Sequence, residues 1–123
     1  MSRILALILI LFASAVAAQG GPRPLERAMS DMRQGNWAGA QIAARSDGQV
    51  AMDIVTWHYL RAGLGNAEQV KDFIERNPDW PGMEYLREKS EEAIVEASHA
   101  DVRAFFADTR PQTGTGALSL ARA

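Results

Sequence analysis

A chain of 123 residues, 47% hydrophobic and 23% charged, has room for one domain and enough apolar side chain to fill its core. That excludes a disordered charged tail. Thirteen Lys and Arg against fifteen Asp and Glu give a formal charge of −2, with no positive surplus to attract nucleic-acid phosphates. Cysteine is absent, which excludes disulfides, thiolate zinc sites, lipidation through cysteine and cysteine-based catalysis.

Arg3 precedes an unbroken apolar run, Ile4 to Ala13, and the small residues Ser14 to Ala18 come next. Val16 and Ala18 stand at the −3 and −1 positions of a cut before Gln19, the three-part layout of a secretory signal peptide over residues 1–18. As a membrane anchor the segment is short: at ~1.5 Å per residue it spans about 22 Å against a hydrocarbon core of ~30 Å. The expectation is therefore an exported, periplasmic product that keeps no stable membrane anchor after cleavage.

Residues 19–24 (Gln-Gly-Gly-Pro-Arg-Pro) read as a flexible lead, and the chain from Leu25 onward reads as helix throughout. Leu25, Ala28, Met29 and Met32 make one stripe of a first short helix. Gly35 ends it, and Asn36 caps a second helix with Trp37, Ala40 and Ala44 on one side. Ser46-Asp47-Gly48 breaks the chain before a third helix, about Val50 to Ala62. Its main stripe is Val50, Ile54 and Trp57, and the remaining faces are also greasy, as in a helix sandwiched between neighbours.

Gly63 and Gly65 stop that helix, and Asn66 with Gln69 forms a capping box for a fourth, with Val70, Phe73 and Ile74 inward. Pro78 ends the fourth helix by pushing Asn77 out of helical geometry. Asp79 is expected to cap a fifth helix of about Met83 to Ala97, with Pro81 tolerated at its start. Met83, Leu86, Ala93, Ile94 and Ala97 face inward in this reading, and Glu84, Glu88, Glu91, Glu92 and Glu96 with Arg87 and Lys89 form a solvated face. Ser98 and Asp101 open a sixth helix carrying Val102, Phe105 and Phe106. Pro111 to Gly116 is a turn, and a seventh helix begins at Ala117.

No segment alternates apolar and polar residues as a strand does, so the expected class is all-α, built from short antiparallel helix pairs. The dipeptide Gly35-Asn36 recurs as Gly65-Asn66, which points to a helix-pair repeat of the α-solenoid kind.

Residues able to do chemistry are few. His58 and His99 are the only histidines, and neither has a second ligand at metal-binding spacing or the surroundings of a Ser-His-Asp triad. Glu88, Glu92 and Glu96 lie four apart on one helix face, whereas a glycosidase needs two carboxyl groups across a cleft. Gly114-Thr115-Gly116 lacks the preceding strand and third glycine of a phosphate loop. Trp37 and Trp57 occupy stripe positions that favour core packing over sugar stacking. For Trp80, the setting Pro78-Asp79-Trp80-Pro81 leaves burial as a corner staple and display to solvent both open. No cofactor is implied.

The stretch from Phe73 to Ile94, FIERNPDWPGMEYLREKSEEAI, resembles the superhelical region of the soluble lytic murein transglycosylases. Those proteins pair a Phe-[Leu/Ile]-x-x-x-Pro-x-Trp-Pro turn with an amphipathic helix carrying paired acids. Asp53 to Gly63, with Trp57 and the Leu60-Arg61-Ala62-Gly63 end, is similar to the family's Trp-containing helix. Arg110 to Leu118 is similar to the connector to its next helix. The resemblance spans about residues 25–123 and rests on Trp57, Phe73, Pro78, Trp80, Pro81, Gly82 and Gly114 as structural motif residues.

The resemblance implies a periplasmic parent built as a long helical ring with a lysozyme-like catalytic domain at its C-terminus. Such an enzyme cuts peptidoglycan glycan strands between N-acetylmuramic acid and N-acetylglucosamine, leaving a 1,6-anhydro ring. One Glu acts as acid and then base, commonly within a Glu-Ser dipeptide. This sequence has no Glu-Ser dipeptide, so no catalytic residue carries over, and the implied role is a non-catalytic scaffold along which a glycan strand lies. The seventh helix reaches Ala123 without a cap, and residues 25–123 are accordingly expected to be the first piece of a truncated superhelical domain, with an apolar end prone to association. The alternative from another class is a small secreted helical-repeat module that binds proteins and has no enzymatic activity.

Overall fold

The computed structural model describes Gly21 and residues 23–123. The expected signal peptide over 1–18 and half of the expected lead (19, 20 and 22) lie outside the described residues. Within them, all regular secondary structure is helical: α1 (Pro24–Arg33), α2 (Trp37–Arg45), α3 (Gln49–Arg61), α4 (Ala67–Arg76), α5 (Met83–Ile94), α6 (His99–Phe105) and α7 (Gly114–Arg122). The chain is all-α, as its periodicity predicts. No helix among the described residues is long and apolar enough to cross a membrane.

Local chemistry explains most of the boundaries. Asn36 and Asn66 each cap the next helix, accepting from the amides of Gly39 and Gln69. The Gln69 side chain accepts in return from the Asn66 amide, completing the capping box. Ser98 caps α6 through the Asp101 amide. α4 stops at Arg76, and Asn77 leaves helical geometry (φ −132°, ψ 53°) ahead of Pro78.

Four boundaries differ from expectation. Pro24 belongs to α1 rather than to the lead, because proline is preorganised for a first helical position. Arg23 supplies no side-chain cap there; instead Asp47, from the α2–α3 turn, accepts from the Leu25 amide at 2.9 Å. α5 is preceded by Gly82 in left-handed conformation, not capped by Asp79. It also ends at Ile94, since Ser98 must be extended to cap α6 and the chain tightens through Val95 and Ala97 to reach it. Finally, α7 starts three residues earlier than its apolar pattern, at Gly114, because Thr113 caps it by accepting from the Gly116 amide.

Packing runs in chain order. α1, α2 and α3 pack on one another; α3 packs on α4 and α5, and α4 on α5; α5 packs on α6 and α7, and α6 on α7. The odd-numbered helices thus form a file in which each touches the next, with an even-numbered helix seated against each adjacent pair.

Two cores result. The first is made of Ala28, Ala40, Ala44, Ala51 and Val55, where four alanines and one valine bring α1, α2 and α3 together. The second is larger and carries Leu60, Val70, Phe73, Leu86, Ile94, Val102 and Phe106. The expected inward stripe of α3 is corrected: Val50 is 68% exposed, and the buried positions are Ala51, Asp53, Val55 and Leu60. A helix apolar on most sides does not name its inner face, and the alanine-lined space beside α1 and α2 admits Ala51 and Val55.

The corrected face is testable by chemical denaturation. Val55→Ala should cost about 2 kcal/mol, whereas Val50→Ser should change stability by no more than about 0.5 kcal/mol.

Candidate functional site

All the motif residues except Gly114 assemble one corner between α4 and α5. Pro78 ends α4, and the chain turns through Asp79 and Trp80 to Pro81 and Gly82. Phe73 is fully buried on α4, and the Trp80 ring meets it edge-on at 5.3 Å between centroids. Trp57, on α3, stands 6.5 Å from Trp80 and donates its indole N–H to the Pro81 carbonyl at 2.9 Å. Trp57 and Trp80 are both partly buried against the larger core. Trp57 is therefore not a fully enclosed core residue, and Trp80 serves as a corner staple.

Gly82 has φ 68°, a region that side-chain-bearing residues adopt at a cost of roughly 1–2 kcal/mol. It also lies against the Arg61 guanidinium, since a Cβ on Gly82 would come within 3.4 Å of Arg61 Cζ. That guanidinium sits over the Trp57 ring, 4.2 Å from its centroid, a cation–π geometry. Gly114, the remaining motif residue, is not part of this corner. It opens α7, where a Cβ would meet nothing within 4 Å, and the tightly packed glycine of that first turn is Gly116.

Gly116 is packed because Glu91 is there. Glu91 is only 1% exposed, which corrects its expected place on a solvated face. Its Oε1 accepts from the Gln112 amide at 2.6 Å, and its Oε2 accepts from the Thr113 amide at 2.8 Å and from the Thr113 hydroxyl. The same hydroxyl accepts from the Gly116 amide, so its proton is directed at Glu91. A Cβ on Gly116 would lie 2.2 Å from Oε2. Burial here is compensated by hydrogen bonds, and the carboxyl group acts as a clasp holding the α6–α7 connector to α5.

Asp53 is a second buried acid that periodicity misses. Both of its oxygens accept from Arg76 Nη1 at 2.9 Å, and Gln49 donates to one of them. Arg76 also donates to Asp72, from Nε and Nη2. These bonds hold the Asp72 carboxyl below the usual carboxylate range and raise the Arg76 guanidinium further. The last turn of α4 is thereby fixed to α3. The one sequence signal is that Asp53, seven residues before Leu60, is the sole acid on α3.

The other candidates are dispersed. His58 is partly buried edge-on to Trp57 at 4.8 Å, and burial together with the nearby Arg61 charge holds its imidazole below the ordinary value. His99 is exposed at the start of α6. Glu92 is exposed, and Glu88 is loosely paired with Lys89 at 3.9 Å. Among the described residues, no three His, Asp or Glu side chains are grouped to hold a metal ion. A cleft of about 360 Å³ between α4, α5 and α6 has an apolar floor including Ile74, Ile94 and Phe105, and Lys71 and Asp101 pair across it at 2.9 Å. No family model matches the chain, and no curated protein or solved structure matches it significantly.

Two substitutions separate the roles of these groups in denaturation experiments. Trp57→Phe keeps a ring but removes the donor to Pro81 and should cost about 1 kcal/mol. Glu91→Gln strips the connector of charged acceptors and should cost about 2–3 kcal/mol, whereas Glu92→Gln on the exposed face should stay within about 0.5 kcal/mol of the parent.

Proposed function

We propose that the chain is a non-catalytic segment of the superhelical region of a periplasmic peptidoglycan lytic transglycosylase, serving as a helical framework along which glycan strands lie. The observation behind this reading is the Trp57–Trp80–Pro81 corner. Six of the seven residues that carry the resemblance, Trp57, Phe73, Pro78, Trp80, Pro81 and Gly82, lie together in one structural joint between successive helices, with Gly114 outside it.

Two further features support it. The file of odd-numbered helices, each touching the next, is the packing that a superhelical stack extends. Among the acids of α5, Glu91 is committed to the connector and Glu92 lies in solvent. Neither has the partly desolvated, substrate-facing setting that protonation of a glycosidic oxygen requires.

Co-sedimentation with purified cell-wall sacculi, coupled to mass analysis of the soluble fraction, tests both halves of the reading. The chain should pellet with sacculi and release no anhydromuropeptides. Release of such products would overturn the non-catalytic role. Failure to pellet would overturn the glycan-scaffold role in favour of a protein-binding module.

A further inference from the structure

Where α1, α2, α3 and α5 meet, the surface opens into a groove of about 370 Å³. Met29, Met32, Trp37 and Tyr85 give it apolar and aromatic walls, and Arg33, His58 and Arg61 supply its polar groups; no carboxylate lines it. This is unusual in a chain whose acids outnumber its bases. Three cations elsewhere are paired with acids, Lys71 with Asp101, Arg76 with Asp53 and Asp72, and Lys89 with Glu88. Neither Arg33 nor Arg61 takes part in any of these pairs.

Arg61 is held in place without being satisfied. Its guanidinium lies over Trp57 and 5.1 Å from the centroid of Tyr85, with Gly82 on a further side. Its Nε is buried and has no hydrogen-bond partner. A buried guanidinium N–H left unpaired is costly, and the fork of a guanidinium matches the two oxygens of a carboxylate. The cation is thus preorganised by aromatic stacking, so little side-chain freedom is lost when an anion arrives.

We propose that this groove binds a carboxylate carried on a ring or a short apolar body. Arg61 pairs with the carboxylate, Arg33 adds a second positive charge at the mouth, and Trp37, Tyr85 and the two methionines pack the attached body. His58 offers a further hydrogen-bonding nitrogen at the same wall. The site stands apart from the glycan-scaffold reading, because a sugar acid and a peptide C-terminus present the same group.

Titration of the purified chain, monitored by two-dimensional NMR of the tryptophan indole N–H signals, tests the site with matched probes. N-acetylmuramic acid is compared with N-acetylglucosamine, which lacks its carboxylate, and a blocked Ala-Phe dipeptide acid with its C-terminal amide. In at least one pair the acid should bind and shift the Trp37 signal while its neutral counterpart does not; which pair responds identifies the source of the carboxylate. Arg61→Gln should weaken that binding by about tenfold or more. Arg33→Gln, at an exposed position that folding does not depend on, should weaken it less, and Arg122→Gln on α7 should leave it unchanged. The proposal is overturned if neither acid binds, if acid and neutral probes bind alike, or if folded Arg61→Gln and Arg33→Gln both bind as the parent does.

Discussion

The bond from the Trp57 indole to the Pro81 carbonyl is the constraint on which the arrangement of α3, α4 and α5 turns. Two prolines three residues apart cannot continue a helix, so the chain between α4 and α5 must change direction. Such a turn has no intrinsic reason to settle in one geometry. Trp57 reaches it from the preceding odd-numbered helix, and Trp80 closes it from within by packing on Phe73. The corner thus adds a directed bond to the direct packing of α3 on α5, and it anchors the buried Phe73 side of α4.

The polar interior obeys a similar logic. Asp53 and Glu91 are both buried acids, and each holds the end or the approach of a helix that is distant in sequence. Asp53 fixes the last turn of α4, and Glu91 fixes the entry to α7. Apolar packing alone would let neighbouring helices slide or rotate, since it is non-directional. A carboxyl group with two or three aimed donors fixes position along the helix axis as well, which is how short helices keep register.

What the sequence makes legible is what is decided locally. The caps at Asn36, Asn66 and Ser98 and the stop before Pro78 depend on residues within a few positions of each other, and all are realised. The inner face of α3 is decided by its neighbours: Ala51 and Val55 are buried because α1 and α2 present alanines there, leaving Val50 in solvent. Glu91 belongs to the same class. Its donors come from Gln112 and Thr113, more than twenty positions away, so the acidic pattern of α5 is indistinguishable from a solvated face until the connector is in place. Arg61 reads as part of a helix end, and only the approach of Gly82 and Tyr85 turns it into the wall of a groove.

The contrast between the two cores has a mechanical consequence. The fully buried centre between α1, α2 and α3 is alanine and one valine, with Leu25, Met32, Trp37 and Met52 only partly buried around it, so separating these helices exposes less apolar surface than prying apart the Phe73 cluster. Backbone amides of α1 and α2 are thus expected to exchange with solvent through partial openings that leave the later helices intact. The molecule is built with a soft leading edge and a firm rear, and the aromatic corner lies on the firm side of that divide.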